Sequence, residues 1–242
     1  MKWKFTALAA TVALAACGGR EAAPQPVATE AAALPAPPVM GEAVTILALG
    51  DSLFAGYGLE PGQSYPARLE AALRARGINA RIVNAGVSGD TTADGLQRLD
   101  FALNSLPRPP ALVLISLGGN DMLRAVPPAE TRTNLEALLA KLDVRKVPAL
   151  LLGMKAAPNL GSDYQRKFDP IYADLAKRHG AALVPFFLEP VYDQPQLTQQ
   201  DHIHPRLGGI DVLVGSTVET VAKALPKSIA GPAVKAALPA PR

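Results

Sequence analysis

Five short stretches of nearly unbroken hydrophobic residues, spaced along the middle of the chain, limit what it can fold into more than any other feature. They are Val44–Leu49, Ala80–Asn84, Ala111–Leu117, Pro148–Gly153 and Ala181–Phe186. Each is too short for a stable helix. Their apolar residues run continuously instead of alternating, as in strands covered on both faces. Longer segments of helical period lie between them, at roughly Tyr65–Arg76, Thr92–Asn104, Ala129–Leu142 and Tyr164–His179, with a further helix after Pro205. Gly77 and Gly180 each follow a basic helix end, where a left-handed C-terminal cap is common. Regular strand–helix alternation implies an α/β protein, a three-layer sandwich around a central five-stranded parallel sheet with right-handed crossovers. In such sheets ligands bind beyond the carboxyl ends of the strands, so the residues just after each strand are read together.

The expected folded unit is residues 42–225, and the segments on either side have another character. Residues 1–17, MKWKFTALAATVALAAC, have a basic start, an apolar stretch and small residues at the end, the layout of a secretory signal too short to span a bilayer. Leu14-Ala15-Ala16-Cys17 resembles a bacterial lipobox, which makes Cys17 the expected lipidation site and gives the chain an N-terminal lipid anchor in a membrane. Lipidation also accounts for the single cysteine of an exported chain. Residues 18–41 are rich in Ala and Pro and read as a tether, and residues 226–242 read as a tail of similar composition. Lys2 and Lys4 leave with the signal, which takes the formal charge from +3 towards neutrality. A near-neutral chain has no electrostatic case for nucleic acid. The expected location is the bacterial envelope, anchored facing the periplasm or secreted into it. Gly18 and Gly19 carry no aspartate, which in a Gram-negative cell favours the outer membrane. The expected state is a monomer.

Four segments meet at the predicted carboxyl edge: Gly50-Asp51-Ser52-Leu53, Asn84-Ala85-Gly86-Val87-Ser88-Gly89-Asp90, Gly118-Gly119-Asn120-Asp121, and Asp201-His202-Ile203-His204-Pro205 ahead of the last helix. A serine hydroxyl attacks a carbonyl only once a base removes its proton, and an imidazole does that at neutral pH. The imidazole needs a carboxylate to fix its tautomer, and the resulting oxyanion needs donors placed in advance. The chain has three histidines. His179 closes a predicted helix, which leaves His202 or His204 as the base. The three-residue spacing from Asp201 to His204 brings both side chains to one side of a turn, whereas His202 cannot easily fold back onto its neighbour.

GDSLFAGYGL, NAGVSGDTT, LGGNDMLR and D-x-I-H-P, in that order over residues 44–215, resemble the SGNH or GDSL-type hydrolase superfamily. The likeness is to its bacterial branch of thioesterase I, arylesterase and lysophospholipase, and residues 154–168 are similar to the same branch. The resemblance implies a flavodoxin-like fold and a serine esterase or thioesterase needing no metal or organic cofactor. It implies Ser52 as nucleophile, His204 as general base and Asp201 as the carboxylate orienting it. The oxyanion hole would be the Ser52 N–H, the Gly86 N–H and the Asn120 amide. The substrate would be a small acyl ester or thioester, including a lipid. Where relatives commonly read Asp-Gly-Ile-His-Pro-Asn this chain has His202 and Arg206, and Ala157 stands where the branch often has proline.

Blander readings stand beside these. Ser52 can cap a helix, and Asp51, Asp90 and Asp121 are read as caps and turn ligands. Tyr57, Leu59 and Leu123 either line an acyl pocket or belong to the core. Asp201, His202 and His204 invite a zinc reading, but one short loop is a poor source of three ligands. Removal of acetyl groups from envelope glycans is the alternative within the enzyme class, and lipid or glycan binding without turnover is the alternative outside it.

Overall fold

The structure is a computed structural model and describes Val39 and residues 41–226. Cys17, the signal segment, most of the tether and the tail beyond Pro226 lie outside the described residues. The five expected strands form one all-parallel sheet of β1 (Val44–Gly50), β2 (Ala80–Gly86), β3 (Leu112–Ser116), β4 (Ala149–Leu152) and β5 (Ala182–Val184). Their order is β2-β1-β3-β4-β5, the flavodoxin-like arrangement, with the strand order reversing between β1 and β3. Gly50 pairs with Gly86 on one side and Ser116 on the other, so the three strand ends that carry site motifs finish level.

Only the inner strands have the solid burial that their sequences imply. β3 is buried throughout and β1 nearly so, whereas the edge strands β2 and β5 are mostly half-buried. The open edge of β2 is partly closed by Glu70, whose carboxylate accepts from the Ile82 N–H at 2.6 Å. β5 is shorter than expected because Pro185 has no N–H to continue the ladder.

Between the strands lie α1 (Ser52–Ala55), α2 (Tyr65–Ala75), α3 (Thr92–Asn104), α4 (Gly119–Leu123), α5 (Pro128–Val144), α6 (Gly161–Phe168) and α7 (Ile171–His179), and α8 (Leu207–Ala224) is the last helix among the described residues. Helices α2 and α8 pack together over one face, and α5 packs between α3 and α7 over the other. One expectation is corrected. The single helix Tyr164–His179 is two helices, α6 and α7, divided at Asp169-Pro170. Pro170 cannot donate to a carbonyl one turn back, and its ring crowds that carbonyl, so the ladder stops there. Two one-turn helices, α1 and α4, were not legible from period because each is shorter than one amphipathic repeat; both follow strands directly.

Candidate active site

The GDSL stretch folds locally for identifiable reasons. Asp51 Oδ1 accepts from the Leu53 N–H at 3.0 Å, which makes Asp51 and not Ser52 the N-cap of α1. Gly56 ends the turn in the left-handed region at φ 83°. Ser52 is thereby held on the first turn after β1, its hydroxyl facing a cavity of about 650 Å³.

The opposite wall comes from the far end of the chain. The Ser52 Oγ–His204 Nε2 separation is 2.8 Å across 152 residues of sequence, and His204 Nδ1 lies 2.7 Å from Asp201 Oδ2. Asp201 Oδ1 also accepts from the N–H groups of Ile203 and His204, at 2.9 and 3.0 Å. Burial of Asp201 would raise its pKa. Hydrogen bonds from the His204 backbone and ring and the Ile203 N–H outweigh that and hold the carboxyl at about 2. An ionised carboxylate can only accept, so Nδ1 of His204 carries the proton and Nε2 is free to accept from Ser52.

Asn120, on α4, lines the same cavity. Its Nδ2 donates to the Asp90 carbonyl at 2.9 Å and faces Asp51 Oδ2 at 3.5 Å. The turn that presents it needs Gly118, at φ 106°, where a Cβ would meet the Tyr172 hydroxyl at 2.1 Å. That hydroxyl donates to the Leu117 carbonyl at 2.9 Å and pins the end of β3. Asp121 is buried and accepts from the Thr92 N–H, the Thr92 hydroxyl and the Thr131 hydroxyl, locking the turn to α3 and α5. Gly86 is placed differently. It does not line the cavity, and its N–H donates to Asn84 Oδ1 at 2.9 Å. A Cβ there would meet the Ala55 nitrogen at 2.4 Å, so glycine lets β2 close against α1.

Burial pushes the Asp51 carboxyl up, the hydrogen bond from the Leu53 N–H offsets part of the rise, and the result is about 6. Arg98 escaped the sequence reading. It donates from Nε to Asp90 Oδ2 at 2.5 Å and from Nη2 to the Gly50 carbonyl at 2.8 Å, which ties the second loop to the end of β1. Tyr57 and Leu123 line the cavity, while Leu59 packs against the core. Most of the remaining wall is apolar, including Met122, Met154, Phe186, Leu188 and Tyr192. Among the described residues, no group of three or more His, Cys, Asp or Glu is arranged to hold a metal ion.

A serine, an imidazole and a carboxylate in one hydrogen-bonded line, with an amide donor lining the same cavity, can form and hydrolyse an acyl-serine. Residues 48–209 match the model of the GDSL-like lipase/acylhydrolase family. The chain belongs to that family. This acylhydrolase is 43% identical over 165 residues to esterase TesA of Pseudomonas aeruginosa, covering 68% of this chain and 81% of that protein. It is 40% identical over 161 residues to thioesterase 1/protease 1/lysophospholipase L1 of Escherichia coli K12, covering 66% of this chain and 75% of that protein. Among solved structures, AlinE4, an SGNH-hydrolase family esterase, is 61% identical with a TM-score of 0.66, covering 77% of this chain and 99% of that one. The acylhydrolase is a serine hydrolase with the SGNH fold, acting on carboxylic ester or thioester bonds.

Proposed function

We propose that Ser52 is the nucleophile, His204 the general base and Asp201 the group that orients and charge-compensates His204. Ser52 Oγ attacks the acyl carbonyl carbon while its proton passes to His204 Nε2. The tetrahedral intermediate collapses as His204 returns that proton to the departing alcohol or thiol, leaving an acyl-Ser52 ester. Water, deprotonated by the same imidazole, attacks this ester, and His204 returns that proton to Ser52 Oγ as the acyl–Oγ bond breaks and the carboxylic acid departs. The Ser52 N–H and the Asn120 amide face the developing oxyanion, and the Gly86 N–H joins them by turning from Asn84 Oδ1. No step calls for a metal or an organic cofactor.

The observation that carries this reading is the line Asp201–His204–Ser52, at 2.7 and 2.8 Å, opening on the cavity. The cavity's aliphatic and aromatic lining suits an acyl chain better than a sugar, which favours acyl ester or thioester hydrolysis over glycan deacetylation. Ser52→Ala is expected to abolish hydrolysis of p-nitrophenyl butyrate and labelling by a fluorophosphonate, with the far-UV spectrum unchanged. Undiminished turnover would overturn the assignment. A panel of esters and thioesters of graded acyl length, with an O-acetylated glycan included, then ranks the substrates.

We also propose that the enzyme is held in the bacterial envelope by acyl groups on Cys17. No described helix is long and apolar enough to cross a membrane. Cys17→Ala is expected to move the protein from the membrane to the soluble periplasmic fraction, and a protein still membrane-bound after the change would refute the anchor.

A further inference from the structure

The loop that carries Asp201 and His204 is built almost entirely from bonds to itself. The Gln199 N–H donates to the His204 carbonyl at 2.7 Å, the His202 N–H to the Gln199 carbonyl at 3.1 Å, and the Arg206 N–H to the Leu197 carbonyl at 2.8 Å. Asp201 and His204 bond within the same loop. These bonds fix the imidazole relative to its carboxylate. They do nothing to fix it relative to Ser52.

Among the described residues, two hydrogen bonds run from residues 198–206 to the segment 50–58 that carries Ser52. One is the Ser52–His204 contact itself. The other comes from the side chain of Gln199, whose Nε2 donates to the Tyr57 carbonyl at 2.8 Å and is shared with the Pro205 carbonyl at 3.2 Å. Tyr57 lies directly after the left-handed cap of α1, five residues beyond Ser52, and its ring packs at a tilt of 37° against the His204 imidazole with centroids 4.5 Å apart. The fit around the amide is close. Gly58 sits at φ 70°, and a Cβ on it would lie 2.3 Å from Gln199 Oε1.

We infer that Gln199, seated against Gly58, is a positioning residue that clasps the base loop to the nucleophile loop and sets the Ser52–His204 separation. The inference rests on His204 acting as the base. The amide touches no reacting atom and acts through the carbonyl of Tyr57. Without the clasp, the Asp201–His204 pair keeps its internal geometry while the whole loop is free to move relative to Ser52. A displacement of about 1 Å between reacting groups can cost about 100-fold in rate.

Gln199→Met keeps the length of the side chain and removes the donor. On p-nitrophenyl butyrate it is expected to lower kcat by about 10- to 100-fold with KM changed less than about threefold, because a displaced base slows proton transfer from Ser52 while the substrate-binding wall is left in place. The fluorophosphonate inactivation rate is expected to fall in parallel, and Tm by no more than about 5 °C. Gly58→Ala is expected to reproduce the loss, and the double variant to be no slower than the slower single one, since both break the same contact. Unchanged kcat in Gln199→Met overturns the inference. So does a loss confined to KM, a large fall in Tm that accounts for the lost activity, or additive effects in the double variant. If Gly58→Ala does not fold, the kcat and KM of Gln199→Met decide alone. His204→Ala is measured alongside: if it keeps full activity, the base assignment fails, and that failure is distinguishable from a neutral Gln199→Met.

Discussion

Replacing Asp51 with asparagine is expected to reshape the pH dependence of stability. Asp51 is 2% exposed, and its carboxyl titrates near 6 in the folded protein, against 3.8 for an unperturbed aspartate. Between those values the folded state holds the proton and the unfolded state has released it, so stability falls as pH rises. The benefit of the protonated form is fully present below about pH 4 and is gone above about pH 7. A shift of roughly two units corresponds to about 3 kcal/mol, a large part of a typical unfolding free energy of about 5–15 kcal/mol. Asparagine cannot ionise, so Asp51→Asn removes this slope. Its Oδ1 still accepts from the Leu53 N–H, but its Nδ2 then opposes that of Asn120 at the 3.5 Å position of Asp51 Oδ2. That mismatch costs the same at every pH and cancels in the comparison. Urea unfolding of both proteins at intervals from pH 4 to 8 is the assay. The stability of Asp51→Asn minus that of the parent is expected to rise by about 2.5 kcal/mol from the acid end to the alkaline end of that range. A difference constant within about 0.5 kcal/mol, set by the additivity of well-separated effects, would refute the reasoning.

Other expectations follow from single positions. His202 occupies the left-handed region at φ 57°, which glycine adopts at no steric cost, so His202→Gly is expected to relieve strain worth about 1 kcal/mol. Differential scanning calorimetry should show a higher Tm, and a lower one would mean the strain is absent. Ala157 has φ −63° and ψ 141°, angles that proline adopts, and its N–H meets only the Met122 sulfur at 3.2 Å. Ala157→Pro is expected to add about 0.4–1 kcal/mol by restricting the unfolded chain, again read from Tm. Asp201, held at about 2, is ionised throughout the working range, so Asp201→Asn is expected to lower kcat by roughly 10⁴-fold at every pH from 6 to 9. A loss seen only at the acid end of the kcat profile would contradict the orienting role.

The parallel sheet and its strand ends were legible because each signal is local. Runs such as VTIL and LVLI need no partner to declare themselves buried on both faces, and Asp-x-x-His declares its own turn. The division of α6 from α7 was also local, since Asp169-Pro170 is a helix stop within a segment whose apolar period continues across it. The edge strands were less legible: β2 is half-buried because of where it lies in the sheet, which its composition does not encode. Within the site, Arg98, Tyr172 and Gln199 carried no sequence signal. Each bonds a backbone carbonyl at least 48 positions away, and a carbonyl is a group that every residue possesses.

By itself, then, the sequence determined which residue types stand at the carboxyl edge of the sheet, because hydrophobic period, caps and turns are decided within a few residues. Only the tertiary structure decided how they meet. The 2.8 Å between Ser52 and His204 spans 152 residues and depends on the packing of every layer between them. The same packing set a glutamine amide between two loops 142 residues apart. Hydrogen-bond partners over such separations are chosen by three-dimensional proximity, and no local pattern in the chain records that choice.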